Sequence, residues 1–283
     1  LGYYGLLALS LLRRRLGWSH GCLIGCWLLA ISLGLWVTVA TRLGASRWLM
    51  VDVLDVGHGD SIVVRSPGGH TLLVDAGTEE AGRRRVVAFL RWAGIRTLEG
   101  LMITHLDEDH VGGAIPVLEA VRVKRLLTSG ARDEALTFQR LLECAERRGA
   151  THEVLRSGMT LSDGRGMQIQ VLHPPRGVVP GVEPGSNDHS VVFKVTKGDV
   201  SMLLTGDVEE AGLPWLLAQD DALACAVLKV PHHGSALGPL GEPFFSAVRP
   251  TLAIISVGRA HHLPAPATLE ALEQVGARVL LTR

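Results

Sequence analysis

The chain has 283 residues, 47% of them apolar and 20% charged, and its 28 lysines and arginines balance 28 aspartates and glutamates. An apolar fraction this high excludes a disordered chain, and the balanced charge excludes a basic nucleic-acid-binding arm. Four cysteines are too few for a disulfide scaffold, and none forms a C-x-x-C pair. Cys22 and Cys26 lie in an apolar run while Cys144 and Cys225 are isolated, a pattern that predicts buried apolar thiols rather than a thiolate metal cluster.

Residues 1–12 and 21–41 carry no charged side chain. The second run reaches the roughly 20 residues that cross a bilayer. The expectation is a membrane segment over 1–46, with one span at about 1–12, cut short at its start, and another at 21–41. The chain opens on Leu1 with no basic region before the first run, which speaks for a fragment rather than a signal peptide. Arg13, Arg14 and Arg15 between the runs predict a cytoplasmic loop, and so an extracytoplasmic domain over 47–283 in a multi-pass inner-membrane protein.

Beyond residue 46 the pattern becomes α/β. Strands are expected at 51–56, 61–65 and 70–75, with turns at Gly57-His58-Gly59 and Ser66-Pro67-Gly68-Gly69. Apolar residues at helical spacing predict a helix over 83–92, closed by Gly94. A strand at 101–104, a helix at 114–121, a strand at 123–127 and a helix at 134–148 follow. The remaining strands fall at 168–172, 190–196, 200–205, 224–230, 252–257 and 278–281, with helices near 208–218, 242–248 and 267–275. Residues 177–185, rich in Gly and Pro, read as a long irregular loop. This order predicts two sheets packed face to face and covered by helices.

The chemistry concentrates in Thr104-His105-Leu106-Asp107-Glu108-Asp109-His110-Val111-Gly112-Gly113. Directly after a strand, residues two apart point the same way, so His105, Asp107 and Asp109 can converge. His110 joins them if the chain turns there into a helix. Two imidazoles and two carboxylates within six residues form a nitrogen-and-oxygen ligand set for zinc, manganese or iron; the bland alternative is a solvated strand-to-helix turn. Asp207 ends the apolar strand Leu203-Leu204-Thr205-Gly206, where it either bridges two metals or caps the next helix. In Val230-Pro231-His232-His233-Gly234-Ser235 one histidine ligates and the other donates to substrate. His189 is either a ligand or a loop histidine without a role, and Asp75 either orients a ligating imidazole or closes a turn before Gly77.

Asp75, the T-H-L-D-E-D-H-V-G-G run, Asp207 and V-P-H-H-G-S, in this order, resemble the metallo-β-lactamase fold. Within it, D-V-G-H-G-D-S at 55–61, L-V-D-A-G, L-L-T-G-D, L-K-V-P-H-H-G-S and I-I-S-V-G are similar to the C-terminal domain of the ComEC family of competence DNA-uptake proteins. The resemblance covers about residues 49–283, and the apolar runs before it resemble the end of that family's membrane channel. It implies an αββα sandwich with two divalent metal ions, zinc or manganese, and DNA as substrate. It further implies that His105, Asp107 and His189 hold one ion, Asp109, His110 and His233 the other, and that Asp207 bridges. Asp109, Asp207 and His232 are then the catalytic candidates, with Asp75, His58, Asp60, Ser235 and His262 beside the metals or on the substrate side. Three features depart from the family: His58 stands where glutamine is usual, Leu263 where histidine is common, and the chain stops about where relatives continue into another strand.

The expected activity is therefore metal-dependent hydrolysis of DNA phosphodiesters in a DNA-uptake channel, alongside the rest of the uptake machinery. Two other readings use the same residues. One is a small-molecule phosphodiesterase or lactone hydrolase; the other is a non-catalytic domain that binds DNA or a partner at the channel mouth.

Overall fold

The computed structural model of the chain describes residues 20–45, 48–131, 136–177, 187–258 and 262–282, and it divides into two units, Leu1–Trp48 and Leu49–Arg283. In the first unit, α1 (His20–Ala45) is one continuous helix with Ile24, Leu28, Leu33 and Trp36 exposed. Among the described residues no helix is long and apolar enough to cross a membrane. The expected span at 21–41 is accordingly corrected to an exposed apolar helix. The expected span at 1–12 lies outside the described residues.

The second unit opens on an antiparallel meander of β1 (Met50–Val53), β2 (Ile62–Arg65) and β3 (Thr71–Val74). Then come α2 (Val87–Trp92), β4 (Thr97–Leu98), β5 (Gly100–Ile103), α3 (Glu108–Val111), α4 (Ala114–Ala120), β6 (Arg122–Val123), β7 (Arg125–Thr128), α5 (Thr137–Arg147) and β8 (Thr151–Val154). These give a six-stranded sheet ordered β1-β2-β3-β5-β7-β8, parallel from β3 onward, with β4 and β6 as a separate two-stranded ribbon. The chain then passes to β9 (Thr160–Ser162), β10 (Met167–His173), β11 (Val192–Lys197), β12 (Val200–Leu204), α6 (Leu213–Leu217), β13 (Val227–Lys229), α7 (Gly241–Val248), β14 (Leu252–Ile255), α8 (Pro266–Gln274) and β15 (Arg278–Leu281). Their seven-stranded sheet runs in sequence order, antiparallel from β9 to β12 and parallel from β12 to β15.

Side-chain alternation along the strands sets the layers, because neighbours on a strand face opposite sides of the sheet. Ile62, Val64, Leu72, Val74, Met102 and Leu127 of the first sheet pack with Ile169, Val171, Phe193, Val195, Met202 and Leu204 of the second. Their neighbours Val63, Leu73, Leu101, Ile103 and Leu126 face outward against Leu90, Val117, Leu118 and Leu141 of the helices. On the other side Leu203, Leu228, Ala253 and Ile255 meet Leu213, Leu216, Phe244, Phe245 and Leu272. Three stacked cores make an αββα sandwich, as expected.

Three strands, β4, β8 and β9, go beyond the expectation, and the single strand expected at 123–127 is divided between β6 and β7. β8 and β9 form sheet edges of sequence THEV and TLS with little burial, so they carry no apolar alternation to read. The helix expected over 208–218 is confined to α6. Gly212 and Pro214 favour a start there, and Asp188 Oδ1 holds the preceding turn by accepting from the Glu209 and Gly212 amides at 2.8 Å each. Most of the loop expected at 177–185 and the start of the helix expected at 134–148 lie outside the described residues.

Candidate metal centre

The site lies where strands end. β5 stops at Ile103, and Thr104 is held by Asp75, at the end of neighbouring β3, whose Oδ1 accepts from the Thr104 amide at 2.8 Å and whose Oδ2 accepts from its hydroxyl at 2.7 Å. His105 follows, buried. Asp107 caps α3 in extended conformation, its carbonyl accepting from the His110 and Val111 amides, and this first turn swings Asp109 and His110 toward the same place as His105. Gly113 must be glycine, since a Cβ there would stand 2.1 Å from the Ala76 carbonyl oxygen.

From the second sheet, Asp207 follows β12 in the turn after Leu204, its amide donating to Ser190 Oγ at 3.1 Å. After β13 the chain enters Pro231–Gly234 with His232 and His233 both left-handed, at φ 43° and 53°. Non-glycine residues adopt that region at a cost of roughly 1–3 kcal/mol each, and such positions cluster at functional sites. The strained turn delivers His233 to the buried centre and keeps His232 at its rim.

Asp207 Oδ2 lies 3.1 Å from His233 Nε2, 3.3 Å from His110 Nε2 and 3.9 Å from His105 Nε2. Asp109 Oδ2 lies 3.3 Å from His233 Nε2 and 3.6 Å from His58 Nε2. Potential ligand atoms thus gather into His105–His110–Asp207, fully buried, and His58–Asp109–His233, nearer solvent, with a third buried group of Asp60, Asp75 and His110 behind them. The far nitrogens are also engaged: His110 Nδ1 pairs with Asp75 Oδ2 at 2.8 Å, and His233 Nδ1 with the Ser256 carbonyl at 2.9 Å. Such partners orient metal-binding imidazoles.

Without a metal, protons hold the cluster together. Burial alone would push the His110 imidazole down, but the carboxylates of Asp207 and Asp75 hold it well above the ordinary histidine value. Burial likewise opposes a charge on His233, yet hydrogen bonds to Asp109 and Asp207 raise it to about 9. Asp207 is held well below the usual carboxylate range despite its burial, chiefly by the charge of His110. His105 behaves oppositely, pushed down to about 3 by burial and by repulsion from His110. Its Nε2 and Asp207 Oδ1 are buried without a hydrogen-bond partner among the described residues. Buried polar atoms are otherwise nearly always satisfied. A neutral imidazole and a carboxylate oxygen left without partners in one cluster fit a divalent cation of borderline softness.

The remaining candidates sit around this centre. The exposed Asp107 approaches His105 Nε2 only to 3.9 Å. His189 lies in the turn Asn187–His189, outside the three groups. Ser235 follows the histidine turn and engages Thr268 through its carbonyl, while His262 is exposed. Sequence reasoning missed Lys229, wholly buried, whose ammonium meets the buried Asp60 carboxylate at 2.8 Å, and Glu209, whose Oε1 lies 2.8 Å from His232 Nδ1. A lysine inside an apolar strand motif was the available signal for the first; the second became visible only once the fold brought residues 209 and 232 together.

A family model described as the metallo-beta-lactamase superfamily matches residues 54–249, spanning every element that supplies this cluster. The chain belongs to the metallo-beta-lactamase superfamily. Among curated proteins it is 32% identical over 251 residues to ComE operon protein 3 of Bacillus subtilis, covering 82% of this chain and 31% of that protein. It is 30% identical over 236 residues to competence protein ComA of Neisseria gonorrhoeae, covering 82% and 30%. The chain thus spans less than a third of the length of these relatives, which bear out the ComEC resemblance read from its motifs. Among solved structures, the metallo-beta-lactamase fold protein YhfI from Bacillus subtilis matches with a TM-score of 0.52 at 14% identity, covering 82% of this chain and 96% of that one, a likeness of fold. A superfamily domain with this donor set is a hydrolase domain of the metal-dependent kind.

Proposed function

We propose that the domain is a dinuclear, metal-dependent hydrolase that cleaves DNA phosphodiesters during competence DNA uptake. The observation that carries this reading is the convergence of two three-donor groups, His105–His110–Asp207 and His58–Asp109–His233, at one rim of the sandwich. The competence relatives support DNA as the substrate class.

Two divalent cations, zinc or manganese, would supply Lewis acidity at a phosphoryl oxygen and ease deprotonation of water. Asp109, His110 and His233 would hold one ion, and His105 and Asp107 the other. Asp207, whose Oδ2 lies within 3.3 Å of both His110 and His233, would be shared between the two ions. Asp109, partly exposed beside the buried Asp207, would take the proton of the attacking water. His232, its Nδ1 engaged by Glu209, keeps Nε2 for protonating the leaving oxygen. Asp75 and the Asp60–Lys229 pair act from behind, by fixing His110 and the loop that carries His58. In this reading the domain works at the inner membrane, on its extracytoplasmic side, with the rest of an uptake machine as partner. The exposed apolar residues of α1 support contact with lipid.

The test is incubation of the chain with single- and double-stranded DNA plus manganese, magnesium or zinc, against an Asp109→Ala, His110→Ala control. Metal-dependent cleavage absent from the control is the expected result. Turnover of a small phosphodiester or a lactone in place of DNA would reassign the substrate. DNA binding without any turnover would make the domain a binding module.

A further inference from the structure

We propose that an arginine-lined cleft on the helical side of the first sheet, remote from the metal centre, holds a single DNA strand by its phosphates, with Trp92 as the platform for a base; this rests on DNA being the class of molecule the domain handles.

The cleft encloses about 810 Å³ and is lined by Arg91, Arg96, Arg122 and Arg148 together with Ile95 and Val121. Three separate segments bring the four arginines there. Arg91 stands in the last turn of α2, Arg96 precedes β4, Arg122 opens β6, and Arg148 closes α5. The Arg122 amide donates to the Arg96 carbonyl at 3.1 Å, which sets these two backbones side by side. Arg148 is held at the end of α4, its Nε donating to the Leu118 carbonyl at 3.0 Å and its Nη2 to the Glu119 carbonyl at 3.1 Å. Because β4 and β6 run directly into β5 and β7, the cleft lies where those strands begin, and the metal cluster lies beyond their other end. β5 alone, four residues long, puts about 13 Å between them.

Charge gives the cleft its ligand class. On the neighbouring helical turn the arginines are neutralised, Arg83 by Glu79 at 2.9 Å, Arg84 by Glu80 at 3.3 Å and Arg85 by Asp55 at 3.1 Å. Among the described residues, none of the four cleft arginines is paired with a carboxylate. The 28 basic and 28 acidic residues of the chain balance overall, so this local excess exists only once folding has gathered it. A guanidinium is always charged, weakly hydrated, and shaped to meet a phosphate through two parallel hydrogen bonds. Four of them around one concave surface suit a run of phosphodiesters rather than one small anion. Trp92, between Arg91 and Gly94 of the cleft in sequence, is 81% exposed. An exposed indole beside a basic groove is a surface on which the bases of a single strand stack.

The competing account is that arginines near helix C-termini complement the helix dipole, which fits Arg91 and Arg148. It leaves Arg96 and Arg122 unexplained, since neither belongs to a helix, and gives Trp92 no reason to stand in water. An anionic lipid surface fits less well. Among the described residues of α2, α4, α5 and the β4–β6 ribbon, Trp92 alone exposes a large apolar side chain, whereas a bilayer-binding surface buries a whole apolar face.

The test follows the anisotropy of a labelled oligothymidylate titrated with the whole chain, in chelator so that no strand is cut, over a series of salt concentrations. Arg96→Ala with Arg122→Ala is the cleft variant, and Arg84→Ala with Arg278→Ala removes the same charge elsewhere; circular dichroism checks both. Wild type and the charge control are expected to bind alike. The cleft variant should bind at least about tenfold more weakly, with a salt slope smaller by about 1.4, two phosphate contacts at roughly 0.7 each. Trp92→Ala should weaken binding about tenfold and leave that slope unchanged. A wild type that does not bind, a cleft variant or Trp92→Ala that binds like wild type, or a control weakened as much as the cleft variant overturns the inference. So does a cleft variant that loses only its binding to phosphatidylglycerol vesicles, which would make the cleft a lipid contact. Binding that depends on the cleft, with no cleavage once metal is restored, leaves the cleft standing and removes DNA as the substrate of the metal centre.

Discussion

Lys229 on β13 has no exposed surface, and its ammonium is shared between Asp60 Oδ2 at 2.8 Å and the Val230 carbonyl at 3.1 Å. Burial would raise the Asp60 carboxyl, but the lysine charge brings it below its ordinary value. Removing one member of such a pair strands the other charge in a dry interior, at roughly 3–5 kcal/mol. Lys229→Met should lose that much stability in urea denaturation, and adding Asp60→Asn should recover most of it. A loss under about 1 kcal/mol would show that the pair does not hold the loop. Histidine protonation sets a second prediction. His233 is raised in the folded state from 6.5 to about 9, so its contribution is present in full below pH 6.5 and is lost as pH climbs through 9. His105, depressed to about 3, acts in the other direction, losing stability as pH falls below 6.5. The metal-free protein should therefore melt highest near pH 6–7 and lose on the order of 3 kcal/mol toward pH 9. Zinc should flatten the alkaline limb, because ligation replaces the protons. Melting temperatures measured across pH with and without chelator check this; a metal-free curve flat from pH 6.5 to 9 would contradict it.

At the level of elements, legibility followed burial. Strands whose apolar residues pack on both faces, such as Leu72-Leu73-Val74 and Leu101-Met102-Ile103, stood out as runs in the sequence. The edge strand Thr151–Val154 did not, since its side chains face water and its pairing with β7 is made by the backbone. The site divided in the same way. His105, Asp107, Asp109 and His110 fall within six residues of one strand-to-helix turn, so one stretch of sequence announced them. What sequence left open was pairing across the sandwich: that His58 from the first hairpin meets Asp109 and His233, and that Lys229 meets Asp60, both being contacts between distant segments. The α1 region shows the reverse case: its uncharged run stood out in the sequence, and the structure makes of it an exposed apolar helix.

Viewed whole, the domain is written in two consecutive passages. Every strand of the first sheet lies between Met50 and Val154, every strand of the second between Thr160 and Leu281, and the chain passes between them once. The donors divide along the same line: His58, His105, Asp109 and His110 precede that crossing, Asp207 and His233 follow it. The centre is thus an internal interface, comparable to a site shared by two subunits. A gene cut at Gly158 would yield two fragments, each with its own sheet and helical cover but with only part of a ligand set. Co-expressed, they should associate through the apolar faces of Ile62, Val64, Phe193 and Val195, and zinc should tighten the association, whereas neither fragment alone should retain zinc through dialysis. Such a pair would report metal, through reassembly, without any substrate being turned over.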